Sequence, residues 1–282
     1  MMRSWQLSFG HLQIDLKNTL NSIIERTNTV GLELSLFIGF FGLIIGSFLN
    51  VVIYRVPQGE SIVTPGSHCP RCGHMLRAWE LVPVLSYIML RGQCAKCREK
   101  ISLRYPLLEL TNGLLYFYAA WTDYSGSFLQ LGVNLIFLSV LLVLAGIDWD
   151  TFRLPDIFTL PLLGIGLVAG FLLPGDPSGW ESLGSALGAG GFFWLIALVY
   201  PQGMGLGDVK LIAALGTFLG FPKVLIAIFI ASFIGSIVGG LLLALKRKGY
   251  REQIPFGPYL VLGAWIAFFW GNHLISNYLS SC

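Results

Sequence analysis

Charge is scarce in this sequence of 282 residues: Asp, Glu, Lys and Arg together make up 12% of it, against 55% apolar residues. Soluble domains carry about 25% charged residues, so a water-soluble globule fits poorly and lipid is the natural solvent. The apolar runs also lack a polar residue at every second position, which argues against a transmembrane barrel. Lone strands and open sheets are excluded in lipid because their backbone groups would go unpaired. No long apolar run opens the chain. The first begins near Leu32, after SFGHLQIDLKNTLNSIIERTN, which is not where a cleavable signal peptide lies, so the first span is expected to remain in the mature protein. The net charge is +3 and no arginine-rich run occurs, so nothing suggests a nucleic-acid partner. Internal repeats and low-complexity segments are missing too, which removes one argument for an inverted-repeat transporter.

What the sequence does contain is a series of windows that approach the roughly 20 apolar residues needed to cross a bilayer. They fall at about 32–54, 107–121, 128–147, 157–173, 184–200, 211–221, 224–245 and 256–275. The expected fold is an all-α polytopic membrane protein with about eight transmembrane helices. The sixth window, LIAALGTFLGF, has 11 residues before Pro222; it can be short and tilted, a half-helix, or fused to the region around Lys210.

Eight spans put alternate loops on opposite sides. One side collects 14 basic residues: Arg55, Arg71, Arg77, Arg91, Lys96, Arg98, Lys100, Arg104, Arg153, Lys210, Lys246, Arg247, Lys248 and Arg251. Only Arg3, Lys17, Arg26 and Lys223 lie opposite. By the positive-inside rule the first side is cytoplasmic and both termini are periplasmic. The expected organisation is an N-terminal extension (1–31), a first transmembrane helix (32–54), a cytoplasmic zinc-binding domain (55–106) and a membrane bundle (107–282).

Four of the five cysteines sit in the cytoplasmic segment as CPRC at 69–72 and CAKC at 94–97, separated by 21 residues. Two such hairpins can turn the sulfurs of Cys69, Cys72, Cys94 and Cys97 onto one tetrahedral zinc ion. Disulfides and a redox dithiol are the competing readings, but the loop faces the reducing cytoplasm and no thioredoxin-like βαβ pattern surrounds it. Four sulfur ligands leave no open position for water, so the expected role of the zinc is structural. His68 and His74 flank the first hairpin as spare loop histidines, and Cys282 is left over without a role.

The second chemical signal is a set of acids at the cytoplasmic ends of spans: Asp148, Asp150 and Asp156 in AGIDWDTFRLPD, and Asp208 in GMGLGDVK. Acids near the hydrocarbon are functional candidates, although at a helix end they can also reach water. Gly203, Gly205 and Gly207 strip side chains from the approach to Asp208 and allow close backbone contact. Two carboxylates about 4 Å apart would repel by about 4 kcal/mol at an effective dielectric of 20. One then keeps its proton and polarises a peptide carbonyl while its ionised partner activates water, the aspartic-protease division of labour.

Taken together, GSFLNVVIYRVP at 46–57, the two cysteine pairs, RYPLLEL at 104–110, IDWDTFRLPD at 147–156 and GMGLGDVKL at 203–211 resemble the type IV prepilin peptidase family. The resemblance covers about 46–260, and the GxGD pattern is shared with presenilin-like intramembrane proteases. It implies an aspartic endopeptidase of the bacterial inner membrane that cuts the basic leader from type IV prepilins and pseudopilins. It also implies N-methylation of the new terminus with S-adenosylmethionine, an activity associated with the cysteine-bearing loop. The catalytic acids of the family map to Asp148 and Asp208. Asp150, Asp156, Glu109, Gly205, Gly207 and Lys210 are expected to contact substrate or support the pair, with solvated loop acids as the alternative for Asp150 and Asp156.

Other polar residues read more plainly. Ser47, Asn50 and Tyr54 share one face of the first span and should look into the bundle. Glu109 either binds an incoming amino terminus or pairs with Arg104, and Lys210 should reach the interface. Trp121, Trp149 and Tyr200 fit interfacial belts. The functional rival is an ion- or proton-coupled transporter that uses the same acids as a relay.

Overall fold

A computed structural model describes residues 31–122, 127–200, 204–245 and 254–281. Arg3, Lys17, Arg26, Gly203, Lys246, Arg247, Lys248, Arg251 and Cys282 lie outside them. Among the described residues the chain is helical, with no named strand. Its helices are α1 (Gly31–Gln58), α2 (Leu85–Met89), α3 (Arg104–Thr122), α4 (Phe128–Thr151), α5 (Asp156–Leu172), α6 (Gly179–Val199), α7 (Leu206–Ala244) and α8 (Gly257–Ser281). Five of them, α1, α4, α6, α7 and α8, are long and apolar enough to cross a membrane, and α5 is a shorter apolar helix.

Local chemistry sets the helix ends. The Ser127 and Ser178 hydroxyls accept the N–H groups of Gln130 and Glu181 and cap α4 and α6. Phe152, with φ of 56°, ends α4 in the left-handed region, and Pro155 turns the chain into α5. The expected sixth and seventh spans join as α7, which kinks at Gly220 (φ 74°, ψ 169°) just before Pro222. Only glycine adopts that conformation without strain. Of the three alternatives for the sixth window the fused one is realised: the helix begins at Leu206, so Asp208 and Lys210 lie in its first turns rather than in a loop.

Without a hydrophobic drive between helices in lipid, close approach at small residues does the packing. A Cβ on Gly39, Gly42 or Gly46 would come within 2.7–2.9 Å of Phe117, Tyr116 or Glu109, so the glycine edge of α1 lies directly on α3. Gly216 meets the Ser185 backbone and Gly263 the Ala227 carbonyl, which brings α7 onto α6 and α8 in the same way. The main core runs through α4, α7 and α8, where Phe137 stacks on Phe218 with ring centroids 4.3 Å apart. A second cluster joins Leu49, Val52 and Ile53 of α1 to Leu142, Val143 and Ile147 of α4.

Many polar groups within this packing are paired, although Thr159 Oγ1, Ser185 Oγ and Trp265 Nε1 are buried without a hydrogen-bond partner among the described residues. Asn112 donates to Gly42 O (2.8 Å), Ser139 donates to Asn112 Oδ1 (3.0 Å), and the Tyr116 and Ser139 hydroxyls are 2.9 Å apart. Asn50 fulfils its expected inward role by donating to Tyr105 O. Tyr54 does not, and is 57% exposed. The reason is that α3 begins at Arg104, beside Asn50, so one turn further along α1 no helix is left to cover that face. Trp121, Trp149 and Tyr200 are exposed.

Candidate metal centre and carboxylate pair

The two cysteine hairpins are built alike. Gly73 N–H returns to Cys69 O (2.9 Å) and Arg98 N–H to Cys94 O (3.0 Å), with Gly73 and Arg98 both at positive φ. Single bridges, His68 to Met75 and Gln93 to Lys100, close the hairpins. These turns aim all four sulfurs at one point. Cys69 and Cys97 Sγ are 3.8 Å apart, Cys72 and Cys94 Sγ 4.0 Å, and all four lie within 4.8 Å of one another. Zinc–sulfur bonds of about 2.3 Å in a tetrahedron require sulfurs about 3.8 Å apart, so the donor set fits zinc.

Electrostatics prepare the same cluster for a cation. Main-chain N–H groups of Cys97 and Lys96 face Cys94 and pull its thiol down to about 6. Those of Cys72 and Arg71 lower Cys69 in the same way. Cys97 is pushed up to about 12 by desolvation and by the sulfurs around it. The residue itself is exposed, so we attribute the rise mainly to the sulfurs. Arg71 and Glu99 form an ion pair that links the hairpins. His74 turns away from the sulfurs to Glu80, 3.1 Å distant, and His68 to Gly66 O. The Arg77 N–H (2.7 Å) holds the Glu80 carboxyl below the usual range against desolvation, with His74 adding to the effect.

The cysteine-bearing segment joins the helices at Glu109. This buried carboxylate accepts the Val84 N–H (2.8 Å) and a hydrogen bond from Ser47. The Glu109–Arg104 pairing considered from the sequence does not form. Arg104 crosses instead to α4, where it donates to Asp150 Oδ1 (2.6 Å) and Gly146 O (3.0 Å).

Burial and partners separate the acids that the sequence left together. Asp150 is tied to Arg104, and Asp156 receives Lys210 Nζ on both oxygens at 2.7 Å. Lys210 therefore clamps α7 to the start of α5 rather than simply reaching for water. Asp148 has no cation partner among the described residues and is only 5% exposed. One of its oxygens accepts the Gly257 N–H at 2.9 Å. Asp148 sits at the C-terminal end of its own helix, where the helix dipole disfavours negative charge, and the N-terminus of α8 meets it with the opposite sign. Asp208 stands half-buried in the first turn of α7, close enough for the Asp148 charge to act on it.

The glycines near Asp208 have separate uses. A Cβ on Gly205 would lie 3.3 Å from Asp208 Oδ2, so its absence keeps that oxygen clear. Gly207 backs onto Leu154 at 3.0 Å, so its bare Cα serves close approach within the chain. Gly257 was not among the sequence candidates. A Cβ there would fall 2.7 Å from Asp148 Oδ2. The sequence signal that points to it is the FGP tripeptide at 256–258, a glycine and a proline opening a helix.

Two family models match the chain. The bacterial peptidase A24 N-terminal domain covers residues 40–122, which hold the four cysteines, and the type IV leader peptidase family covers 135–240, which hold Asp148 and Asp208. The chain belongs to the type IV leader peptidase family. Among its relatives in that family is the prepilin leader peptidase/N-methyltransferase of Pseudomonas aeruginosa, 38% identical over 265 residues, with 84% of this chain and 91% of the relative aligned. The protein of the same name from Neisseria gonorrhoeae is 42% identical over 259 residues, covering 80% of this chain and 87% of that one. That of Stutzerimonas stutzeri is 37% identical over 265 residues, covering 84% and 91%. No solved structure matches the chain. Gly257, beyond the end of the matched leader peptidase region, reaches back to the family's acid-bearing helix α4.

Proposed function

We propose that this protein removes the leader peptide from type IV prepilins and pseudopilins at the cytoplasmic face of the bacterial inner membrane and N-methylates the new N-terminus. The observation that carries the catalytic assignment is the contrast among the acids: Asp148 is buried and oriented by a main-chain N–H beside Asp208, while Asp150 and Asp156 are each held by a cation. The substrate class follows the names of the relatives, prepilin leader peptidase/N-methyltransferases.

In this reading Asp148 and Asp208 share one proton. The ionised carboxylate takes a proton from water as the water attacks the leader peptide carbonyl, and the protonated one donates to the carbonyl oxygen. The resulting intermediate collapses with transfer of a proton to the departing amine. Because the two groups titrate together, the roles belong to the pair. Gly257 fixes one carboxylate, and Gly205 leaves the other accessible.

Eight crossings follow if α1, α3, α4, α5, α6, the two legs of α7 (206–219 and 221–244) and α8 each traverse the bilayer. The basic loops then face the cytoplasm and both termini the periplasm. The extension (1–31), first helix (32–54), cytoplasmic domain (55–106) and bundle (107–282) remain the proposed organisation. Cys69, Cys72, Cys94 and Cys97 would hold a structural zinc, and S-adenosylmethionine would supply the methyl group. Asp150, Asp156, Glu109 and Lys210 are read as supports of the site. A proton relay is less well served, since two of its candidate acids are tied up in ion pairs.

Mass spectrometry of a prepilin incubated with the purified protein, with and without S-adenosylmethionine, tests both activities. Leader loss and a mass gain of one methyl group are expected. An Asp148→Asn or Asp208→Asn protein that still cleaves would overturn the assignment.

A further inference from the structure

On the outer side of α1, the helix and the chain between Ser61 and Pro83 enclose a groove of about 450 Å³. Phe40, Ile44 and Phe48 form one wall, and Val63, Leu81 and Pro83 the other. The α1 residues recur every fourth position and continue the exposed stripe of Leu36, Phe37 and Phe41. The groove is therefore open along the face that α1 turns to lipid.

Arg55 closes one end. It is only 8% exposed, and its guanidinium donates to Ser61 O (2.9 Å) and Gly66 O (3.4 Å). Those carbonyls satisfy two donors but do not neutralise the charge, and no carboxylate pairs with Arg55 among the described residues. A guanidinium has five N–H donors, and burying its charge without a counter-ion is costly. A long apolar slot ending in an uncompensated buried cation is complementary to an amphipathic anion.

Direction and length narrow the choice. Arg55 lies at the end of α1 that leads into the basic, cysteine-bearing segment, and Phe40 lies 15 residues back along the helix. At 1.5 Å per residue this separation is about 22 Å, roughly half the thickness of a bilayer with its headgroups. A head at Arg55 and a tail toward Phe40 is the arrangement of a phospholipid in a single leaflet.

We propose that this groove binds an anionic phospholipid, with its phosphate on Arg55 and one acyl chain along Phe48, Ile44 and Phe40. The bound lipid would fasten the cysteine domain to α1. That this is the cytoplasmic leaflet rests on the orientation proposed above; the charge selectivity does not.

The test is native mass spectrometry of the purified full chain in nonionic detergent, with phosphatidylglycerol or phosphatidylethanolamine carrying the same acyl chains. Retention of phosphatidylglycerol is expected to exceed that of phosphatidylethanolamine by at least about tenfold, because both offer the same phosphate but the tethered ammonium of phosphatidylethanolamine offsets its charge and is repelled by the buried guanidinium. Arg55→Gln should abolish the preference and Arg55→Lys should retain most of it. Ile44→Trp, which fills the slot but leaves Arg55 and its loop contacts in place, should weaken binding of both lipids. Zinc content of each variant reports whether the domain is folded. Equal retention of the two lipids, or a preference unchanged in Arg55→Gln, overturns the proposal. So does displacement of phosphatidylglycerol by equimolar S-adenosylmethionine or prepilin peptide, which would give the groove to one of them. Binding is read without catalysis, so absence of peptidase activity would not be mistaken for failure of the lipid site.

Discussion

Replacing Gly257 by alanine adds one methyl group at the point where α8 meets the Asp148 carboxylate. That Cβ would stand 2.7 Å from Asp148 Oδ2, 3.0 Å from Cγ and 3.1 Å from Cβ, so about 0.7 Å of movement is needed to restore ordinary contact at 3.4 Å. Asp148 has little room to retreat: it is buried, and two residues back Gly146 lies against Ile53, where a Cβ would be 2.7 Å from Cδ1. The strain is relieved by rotating the carboxylate off its rotamer, at about 0.5–1.5 kcal/mol, or by shifting α8, at about 1–3 kcal/mol as for other overpacked sites. Either movement lengthens the 2.9 Å bond from Gly257 N–H to Asp148. A misplacement approaching 1 Å at the reacting groups costs about 10²-fold in rate. The expected result is a fall in kcat for leader removal of about 10²-fold with KM little changed. Initial rates measured by mass spectrometry on a fixed prepilin, with thermal unfolding in parallel, give both quantities. Methylation of an already cleaved substrate serves as the control for folding and should persist. A Gly257→Ala protein that cleaves within about threefold of the parent, where the misplacement predicts about 10²-fold, would refute the claim that this N–H positions Asp148.

Asp148→Asn and Asp208→Asn should each lower cleavage by about 10²–10⁴-fold, the range for loss of a general acid or base. Asp150→Asn and Asp156→Asn break only partly exposed ion pairs, worth about 0.2–1 kcal/mol, so the same assay should show cleavage largely retained; complete loss in either would place that acid in the reaction. Cys94→Ser should lower zinc measured by elemental analysis from about one per chain, because three thiolates no longer close the tetrahedron, and an unchanged metal content would refute the centre. Gly263→Ala puts a Cβ 2.2 Å from the Ala227 carbonyl oxygen and should destabilise the α7–α8 contact by about 1–3 kcal/mol. Gly132→Ala, with nothing within 4 Å, should instead be neutral or stabilise α4 by about 0.5–1 kcal/mol; equal denaturation midpoints for the two variants would contradict the packing.

Spacing along the chain made part of the site legible. The CxxC pairs announce their cluster because each hairpin is local, and its turn alone directs two sulfurs to one side. Apolar length announces the helices because lipid demands that every backbone group pair within its own segment. The join of two expected spans into α7 was less visible. A glycine followed by Pro222 reads as a break, yet the positive φ of Gly220 lets the second leg start without an intervening loop. Asp208 was marked by its glycines, but Asp148, Asp150 and Asp156 look alike within nine residues of sequence, and it was family resemblance that favoured Asp148.

What separates those three acids is held elsewhere in the chain. Arg104 claims Asp150 from 46 residues away, Lys210 claims Asp156 from 54, and the Gly257 N–H reaches Asp148 across 109. By itself the sequence determined the apolar, membrane-compatible character, the helical class, the two cysteine hairpins and the short set of candidate acids, since each depends on composition or on neighbours along the chain. Only the tertiary structure decided which acids are spent on cations, which is buried and oriented, and that Arg55 is enclosed without a counter-charge. Burial and pairing are contacts between segments, and an amino acid's type sets what it can bind but not what stands opposite it.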